Sequence, residues 1–293
     1  MPEVSSGLRL TRTADVREFD RISGDFLCAR EAEHNLILGL CANVRAAKTN
    51  PYGALPPYFA VVHAADEVVG AAMRTPPYNL ILSGMSDERA ADVILQDVLD
   101  KAPDIPGVLG EKEVARRFAQ GWTERTGRAH RIKMAERIFR LTRVVPPRPA
   151  SGRLRVAGPR DIDVLADWFS AFSVEALRED GTRGRATAEW WLGTAGRVLY
   201  VWEDGEAVSM CGASGRTPNG IRIGAVYTPP ELRGRGYASN CVATASQAQL
   251  DAGLRFCFLF TDLANPTSNH IYRQMGYEAV CDVDEYRFEE SLP

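Results

Sequence analysis

A proline-rich segment near the middle of the chain limits how the rest of it can fold. Val145-Pro146-Pro147-Arg148-Pro149-Ala150-Ser151-Gly152 holds three prolines in eight residues. Proline fixes its own φ angle and has no N–H to donate, so neither a helix interior nor a central strand accommodates such a run. We therefore expect an exposed linker at residues 146–152, which divides the 293 residues into domains at 1–145 and 153–293.

The halves on either side of this linker repeat one order of predicted elements. Each has two strand-like runs around a short turn, then the tripeptide Arg-Thr-Pro, then a third apolar run, a helix, a strand, a second helix and a terminal strand. This order predicts an α+β fold of two tandem domains, each a mostly antiparallel mixed sheet flanked by helices. The first three runs are Tyr58–Val62, Val69–Met73 and Asn79–Ser83 in one half and Val198–Trp202, Ala207–Gly212 and Ile221–Tyr227 in the other, and the terminal strands are Arg137–Leu141 and Glu285–Phe288.

Composition and charge argue against several classes of protein. Apolar residues make up 45% of the chain and charged residues 25%, as in ordinary globular proteins. The net charge of −3 lacks the basic excess of a dedicated nucleic-acid binder, and no apolar run reaches the roughly 18–20 residues of a membrane span. The polar stretch Met1–Arg21 does not resemble a secretory signal. Six dispersed cysteines and four histidines favour a reducing, cytoplasmic setting without a metal site.

The stretch with the most chemical information joins a strand to a helix through glycines. The predicted strand Ile221–Thr228 is stopped by two prolines, and Arg233-Gly234-Arg235-Gly236 then leads into a helix predicted from Ala238 to Ala252, with Gly253 as its C-cap. Glycines let successive N–H groups converge, and a helix N-terminus adds unpaired donors, so such a junction suits an anion. An ordinary turn or a single copy of an RNA-binding repeat are the alternatives, and the lysine of a P-loop is absent.

The residues around this junction resemble the GNAT superfamily of N-acetyltransferases. The family's pyrophosphate loop has the form Q/R-x-x-G-x-G/A, which Arg233–Ala238 matches at each fixed position. Downstream, Asn265–Tyr277 resembles the family segment Asn-Pro-x-Ser-x-x-x-Tyr-x-x-x-Gly-Phe/Tyr. The resemblance covers about residues 152–293.

This resemblance implies that the second half binds acetyl-CoA as a co-substrate. Amides from Arg233 to Ser239 would hold the pyrophosphate, and backbone groups of Val226 and Thr228 would hold the pantetheine arm. Asn265 would bond to that arm with help from Ser268 or Asn269. The implied cofactor-binding residues are Val226, Tyr227, Thr228, Arg233, Gly234, Arg235, Gly236, Tyr237, Ala238, Ser239, Asn265, Ser268 and Asn269.

The resemblance also makes Tyr272 the general acid. A phenol of pKa about 10 suits protonation of a departing thiolate of pKa about 8.5. The alternative for Tyr272 is packing on its helix between Ile271 and Met275.

The general base is a separate question, because the strand Ile221–Thr228 contains no acid. Our candidate is Glu175, seven residues after Trp168 on the first helix of the second half, so that both side chains would line the acceptor pocket. Asp262 at a strand end is a second candidate. Each of these acids could instead be a solvated or capping residue.

The first half lacks the glycine loop. Its third strand is followed by Ser83-Gly84-Met85-Ser86-Asp87-Glu88, where one glycine precedes two acids that would repel a pyrophosphate. We interpret residues 1–145 as a degenerate GNAT-like domain without a pyrophosphate loop, and 153–293 as the catalytic domain.

Together these features predict an acetyl-CoA-dependent N-acetyltransferase, an acyltransferase that moves acetyl to a primary amine of a small molecule or peptide. Direct attack in a ternary complex is expected, because no cysteine lies in either motif. The alternative is a non-catalytic acyl-CoA binding or sensing protein. A transferase that uses charged tRNA is disfavoured by the net negative charge of the chain and by the intact CoA motif. No metal, nucleic acid or membrane is expected as a partner, and the chain is expected to be a monomer or homodimer.

Overall fold

The computed structural model of the protein describes residues 7–47 and 50–289, so the outermost residues of both predicted domains lie outside the described part. The chain divides into two compact units. The first unit contains the described residues up to Ile138 together with those from Val280, and the second contains Phe139–Ala279.

The described residues form twelve strands and eight α-helices, with short 3-10 turns at Pro159–Asp161 and Pro230–Leu232. Up to the division, the elements are β1 (Leu8–Thr13), α1 (Val16–Ala29), α2 (Asn35–Ala46), β2 (Tyr58–Ala64), β3 (Glu67–Arg74), β4 (Leu80–Leu82), α3 (Ala90–Lys101), β5 (Gly107–Glu111), α4 (Lys112–Thr126) and β6 (His130–Leu141). They continue as β7 (Arg153–Val156), α5 (Ile162–Glu175), α6 (Gly184–Gly193), β8 (Val198–Asp204), β9 (Glu206–Ser214), β10 (Gly220–Tyr227), α7 (Tyr237–Asp251), β11 (Phe256–Asp262), α8 (Pro266–Gln274) and β12 (Glu278–Phe288).

Each unit contains a parallel strand pair as well as antiparallel pairs. The first unit has the strand order β1-β2-β3-β4-β5-β12-β6, and the second has the order β6-β11-β10-β9-β8-β7. β4 runs parallel to β5, and β10 runs parallel to β11. The fold-class prediction of two tandem α+β domains is confirmed, and the two predicted hairpins are present as β2–β3 and β8–β9.

Helices cover both faces of each sheet, which explains why strands such as Tyr58–Ala64 are buried almost throughout. In the first unit, one core contains Ile94 and Phe118, and the other contains Phe19 and Ile37. The second unit has the corresponding pair of cores, one built on α7 and the other on α5 and α6.

The predicted linker is exposed over much of its length, yet it is fixed to the second unit. We call Val145–Gly152 the proline strap. Val145 N donates to Met275 O at 2.9 Å, and Trp202 Nε1 donates to Ser151 O at 2.7 Å. The strap is therefore an ordered part of the second unit.

The last strand lies elsewhere than the sequence predicted. The predicted boundaries place β12 in the domain 153–293, whereas from Val280 it belongs to the first unit. There it pairs antiparallel with β5, with Tyr286 opposite Val108, and the ring of Phe288 stacks on Trp122 at 4.7 Å. An unpaired edge of β5 would leave backbone donors and acceptors unsatisfied, and β12 supplies their partners.

The end of β4 in the first unit is satisfied by side chains of the same unit. Gly84 N donates to Nε2 of the buried His34 at 3.1 Å, and Nδ1 of His34 lies 3.0 Å from Leu27 O. A Cβ on Gly84 would lie 2.7 Å from Glu111 Oε2 and 2.8 Å from an Arg30 nitrogen. Because Nε2 of His34 accepts the bond from Gly84 N, it carries no proton, and the ring is neutral. Burial accordingly lowers the pKa of His34 to about 4.

We predict that His34 makes stability depend on pH. The unfolded chain takes up a proton on this histidine near pH 6.5, while the folded chain does so only near pH 4. The neutral His34 contributes up to about 3 kcal/mol to the free energy of unfolding. This contribution is complete above pH 6.5 and is lost as the pH falls towards 4. Urea unfolding at pH 7 and pH 4.5 should show a smaller difference in the free energy of unfolding between the two pH values in His34→Gln than in wild type. His270→Gln, an exposed control, should match wild type, and equal pH effects in all three proteins would contradict the assignment.

Candidate active site

The site begins where β10 leaves its parallel partner. Residues Gly220–Arg222 pair with Phe256–Phe258 of β11, whereas β10 continues to Tyr227. On its other side, the pairing of β10 with β9 shifts between Gly224 and Tyr227, and Ala225 has a φ of 50°. This bulge adds one residue to β10 and bends the strand. The ends of β10 and β11 therefore diverge and leave an opening.

The glycine loop follows β10 after the short turn Pro230–Leu232. Gly234 and Gly236 have φ angles of 79° and 84°, a region that other residues adopt only with strain. The first α7 bond runs from Asn240 N to Gly236 O at 3.0 Å, so the amides of residues 237–239 have no partner within the helix. No side chain caps Gly236. The junction thus presents free N–H groups at the positive end of a helix dipole, which suits an anion.

A cavity of about 660 Å³ lies between this loop, α5 and α8. It brings together thirteen of the fifteen residues predicted for the site. They are Glu175, Val226, Tyr227, Thr228, Arg233, Gly234, Gly236, Tyr237, Ala238, Ser239, Asn265, Ser268 and Tyr272.

Two predicted residues do not line the cavity. Arg235 is exposed and donates to Glu231 O at 3.4 Å. Asn269 is buried, and its Nδ2 donates to Asp262 O and Asn265 O, each at 2.8 Å. Asn269 therefore ties α8 to the end of β11, because both partners are backbone carbonyls.

Asn265 and Ser268 lie in the cavity wall at the start of α8. The side chain of Asn265 caps this helix and accepts from Ser268 N at 3.0 Å. Local capping thus holds both residues in place.

Arg233 is turned towards β10 and α5. Its Nε donates to Thr228 O at 2.9 Å, and a terminal nitrogen pairs with Glu175 Oε2 at 2.6 Å. Tyr227 O accepts from Ser209 Oγ at 3.0 Å. Of the two residues whose backbone groups were predicted to bind pantetheine, Val226 and Thr228, the carbonyl of Thr228 thus already accepts one hydrogen bond.

The two candidate bases differ in their position. Glu175 lies at the end of α5 in the cavity wall, and of the described residues in that wall it alone carries a carboxylate. Its Oε1 accepts from the Tyr227 hydroxyl at 3.2 Å. Asp262 pairs with Arg178 at 3.0 Å and accepts from Ala264 N, outside the wall.

Tyr272 is half-buried in the cavity wall, with its ring near Phe139 and Tyr277. Burial and, to a lesser degree, the nearby Cys211 raise its pKa above the ordinary value of a phenol. Within the described part of the chain its hydroxyl has no hydrogen-bond partner. The phenol therefore keeps its proton and is free to donate it.

The sequence interpretation missed several wall residues. Phe172 and Ile271 were not predicted as site residues, yet both line the cavity. Phe172 lies three residues before Glu175 on α5, a spacing that places both side chains on one helix face, whereas the adjacent positions of Ile271 and Tyr272 give no such signal. Trp168, expected in the acceptor pocket, instead lies in a core, 6% exposed, with its ring 6.4 Å from that of Tyr227.

Cysteine does not form part of the cavity wall as far as the structure describes it. Cys211 and Cys241 lie in the core with sulfurs 3.4 Å apart. The hydrogen bond from Cys241, followed by burial, raises the pKa of the Cys211 thiol, which keeps it protonated.

Neither a metal centre nor a membrane span is found in the part of the chain that the structure describes. No group of three or more His, Cys, Asp or Glu side chains there could hold an ion. No helix there is both long enough and apolar enough to cross a bilayer.

The chain is similar to known proteins in sequence family and in fold. The model of the acetyltransferase (GNAT) family matches residues 162–277. None of the curated protein sequences matches the chain. Among solved structures, a protein from Drosophila is similar over 96% of this chain and 98% of its own, with 13% identity and a TM-score of 0.67. A GCN5-related N-acetyltransferase from Sphaerobacter thermophilus is similar over 98% of this chain and 96% of its own, with 16% identity and a TM-score of 0.60.

A third solved structure is a tandem GNAT protein from the clavulanic acid biosynthesis pathway. It is similar over 98% of this chain and 99% of its own, with 14% identity and a TM-score of 0.56. At these identities the similarity shows the fold alone. Together with the family match, it confirms the resemblance that the sequence motifs carried.

Two tyrosines near the cavity should differ in their importance for stability. Tyr277→Phe breaks the bond between its hydroxyl and Ser246 Oγ at 2.8 Å inside the core, and we expect it to cost about 1–2 kcal/mol. Tyr272→Phe removes a hydroxyl without a protein partner and should change the free energy of unfolding by less than about 0.5 kcal/mol. Urea unfolding of both variants measures the difference. Equal losses would show that the Tyr272 hydroxyl has a structural role.

Proposed function

We propose, from the premise that residues 162–277 belong to the GNAT acetyltransferase family, that the chain is an acetyl-CoA-dependent N-acetyltransferase. The acceptor would be a primary amine of a small molecule or peptide. The observation that carries this proposal is the single cavity wall that contains the unpaired loop amides, the Tyr272 phenol and the Glu175 carboxylate.

The residues present fit acetyl-CoA at the loop. The amides of residues 237–239 are free for phosphate oxygens, and the two glycines open the backbone around them. Each bond from an amide to a charged oxygen contributes about 1.5–3 kcal/mol, and the helix dipole adds about 0.3–1 kcal/mol. Several such bonds hold a pyrophosphate without a metal ion. Val226, Asn265 and Ser268 would contact the pantetheine arm along the diverging end of β10.

Glu175 is our candidate for the general base. An ionised carboxylate has about four lone-pair sites, of which Arg233 and Tyr227 use two. These two bonds fix the direction of the carboxylate and leave sites for the ammonium group of the acceptor. Arg233 and Tyr227 therefore act as positioning residues.

Tyr272 is our candidate for the general acid. The amine nitrogen bonds to the acetyl carbonyl carbon while the carbon–sulfur bond breaks. Glu175 takes the proton that the ammonium loses before attack, and Tyr272 supplies the proton that the departing thiolate gains. The acylated nitrogen then loses its second proton, which restores the phenol of Tyr272. Burial raises the pKa of Tyr272, so the phenol is protonated when the thiolate departs. Direct attack accords with the burial of Cys211 and Cys241 in the core.

Turnover tests this proposal. We expect thiol release from acetyl-CoA with at least one member of a panel of alkylamines, amino sugars and peptides with free α-amino groups. Tyr272→Phe should lower kcat about a hundredfold, a typical loss for a general acid, while the acetyl-CoA Kd changes by less than about twofold. Glu175→Gln should also lower kcat, whereas Asp262→Asn should keep at least half of it.

Other results would contradict the proposal in different ways. Acetyl-CoA binding without turnover across the panel would favour the acyl-CoA sensor. Full activity of Tyr272→Phe would remove the phenol from the mechanism, and loss in Asp262→Asn but not in Glu175→Gln would exchange the two acids.

A further inference from the structure

We propose that the proline strap forms the nucleotide end of the coenzyme site and that Arg148 binds the 3′-phosphate of CoA. This inference rests on the proposed function and names a binding residue outside both sequence motifs. It follows from a second cavity, from the bonds that fix the strap, and from the charge of its lining.

The second cavity, of about 500 Å³, begins at the glycine loop. It shares Gly236, Ser239 and Ile271 with the first cavity, and its remaining wall includes Pro146, Pro147 and Arg148 of the strap. A coenzyme with its pyrophosphate at Gly236 extends in two directions from that point. If its arm lies in the first cavity beside Tyr272, the second cavity is the adjoining space for its 3′-phosphorylated nucleotide.

The strap is fixed to the helix that carries the loop. Asn240, in the first turn of α7, donates from Nδ2 to Arg148 O at 3.0 Å. Ala150 Cβ lies 3.7 Å from the position that a Cβ on Gly236 would occupy. Arg148 is thus attached next to the anion-binding junction, so less order has to be gained on binding than with a free linker.

The charge of this cavity suits a phosphate monoester. Within the described residues, Arg148 is exposed and has no ion-pair partner, whereas Arg233 is paired with Glu175. The described residues in the wall of the second cavity include no carboxylate. Gln274 supplies hydrogen-bonding groups, and the two prolines supply an apolar surface for a purine ring.

Calorimetry with two ligands that differ by one group tests the inference. CoA and 3′-dephospho-CoA are titrated into wild type, Arg148→Gln and Arg148→Lys. The matched control is Arg143→Gln, which removes the same charge from an exposed position that does not line the second cavity. We expect wild type and Arg143→Gln to prefer CoA about tenfold, as one charge-assisted bond provides. Arg148→Gln should bind both ligands within about twofold of each other, and Arg148→Lys should recover part of the preference.

Each other outcome overturns the inference. An unchanged preference in Arg148→Gln, or no preference in wild type, would show that Arg148 does not contact the 3′-phosphate. Equal weakening of both ligands would place it at the pyrophosphate or give it a structural role. These results leave the proposed function intact, whereas absence of CoA binding by wild type would contradict the proposed function as well.

Discussion

The parallel pairing of β10 with β11 is the constraint on which the site depends. Parallel neighbours each need a crossover, so both strands are followed by helices that start at the same edge of the sheet. The bulge at Gly224–Tyr227 bends β10 away from β11, and the glycines at 234 and 236 leave the first amides of α7 without partners. Unpaired donors, an open cleft and the capped start of α8 are therefore consequences of one junction.

In the first unit, side chains of the unit itself occupy the space at the corresponding strand end. It also has a parallel pair, β4–β5, but the amide after β4 donates to His34, and Arg30 and Glu111 occupy the space around Gly84. A buried neutral histidine there satisfies the backbone without a ligand. We accordingly propose, as the sequence suggested, that the first unit does not bind acetyl-CoA.

Local features of this fold could be predicted from the sequence, whereas long-range ones could not. The hairpins and the glycine junction depend on turn residues and positive φ angles, which neighbouring residues specify. The pairing of β12 with β5 depends on a partner far away in the chain. The Glu175–Arg233 pair joins residues 58 positions apart, and its existence required the fold. The apolar pattern of α5 alone could not assign Phe172 to the cleft, because an apolar side chain on a helix has the same pattern whether it faces a cleft or a neighbouring strand.

The most direct measurement of the central claim is the stoichiometry of acetyl-CoA binding by calorimetry. We predict one molecule per chain and its loss in Gly236→Asp, which places strain and a negative charge at the loop. Gly253→Asp is the matched control, because its φ of 93° imposes comparable strain at the other end of α7 with open space around it. This variant should bind like wild type. Two molecules per chain, or equal binding by both variants, would contradict a single site at the glycine loop.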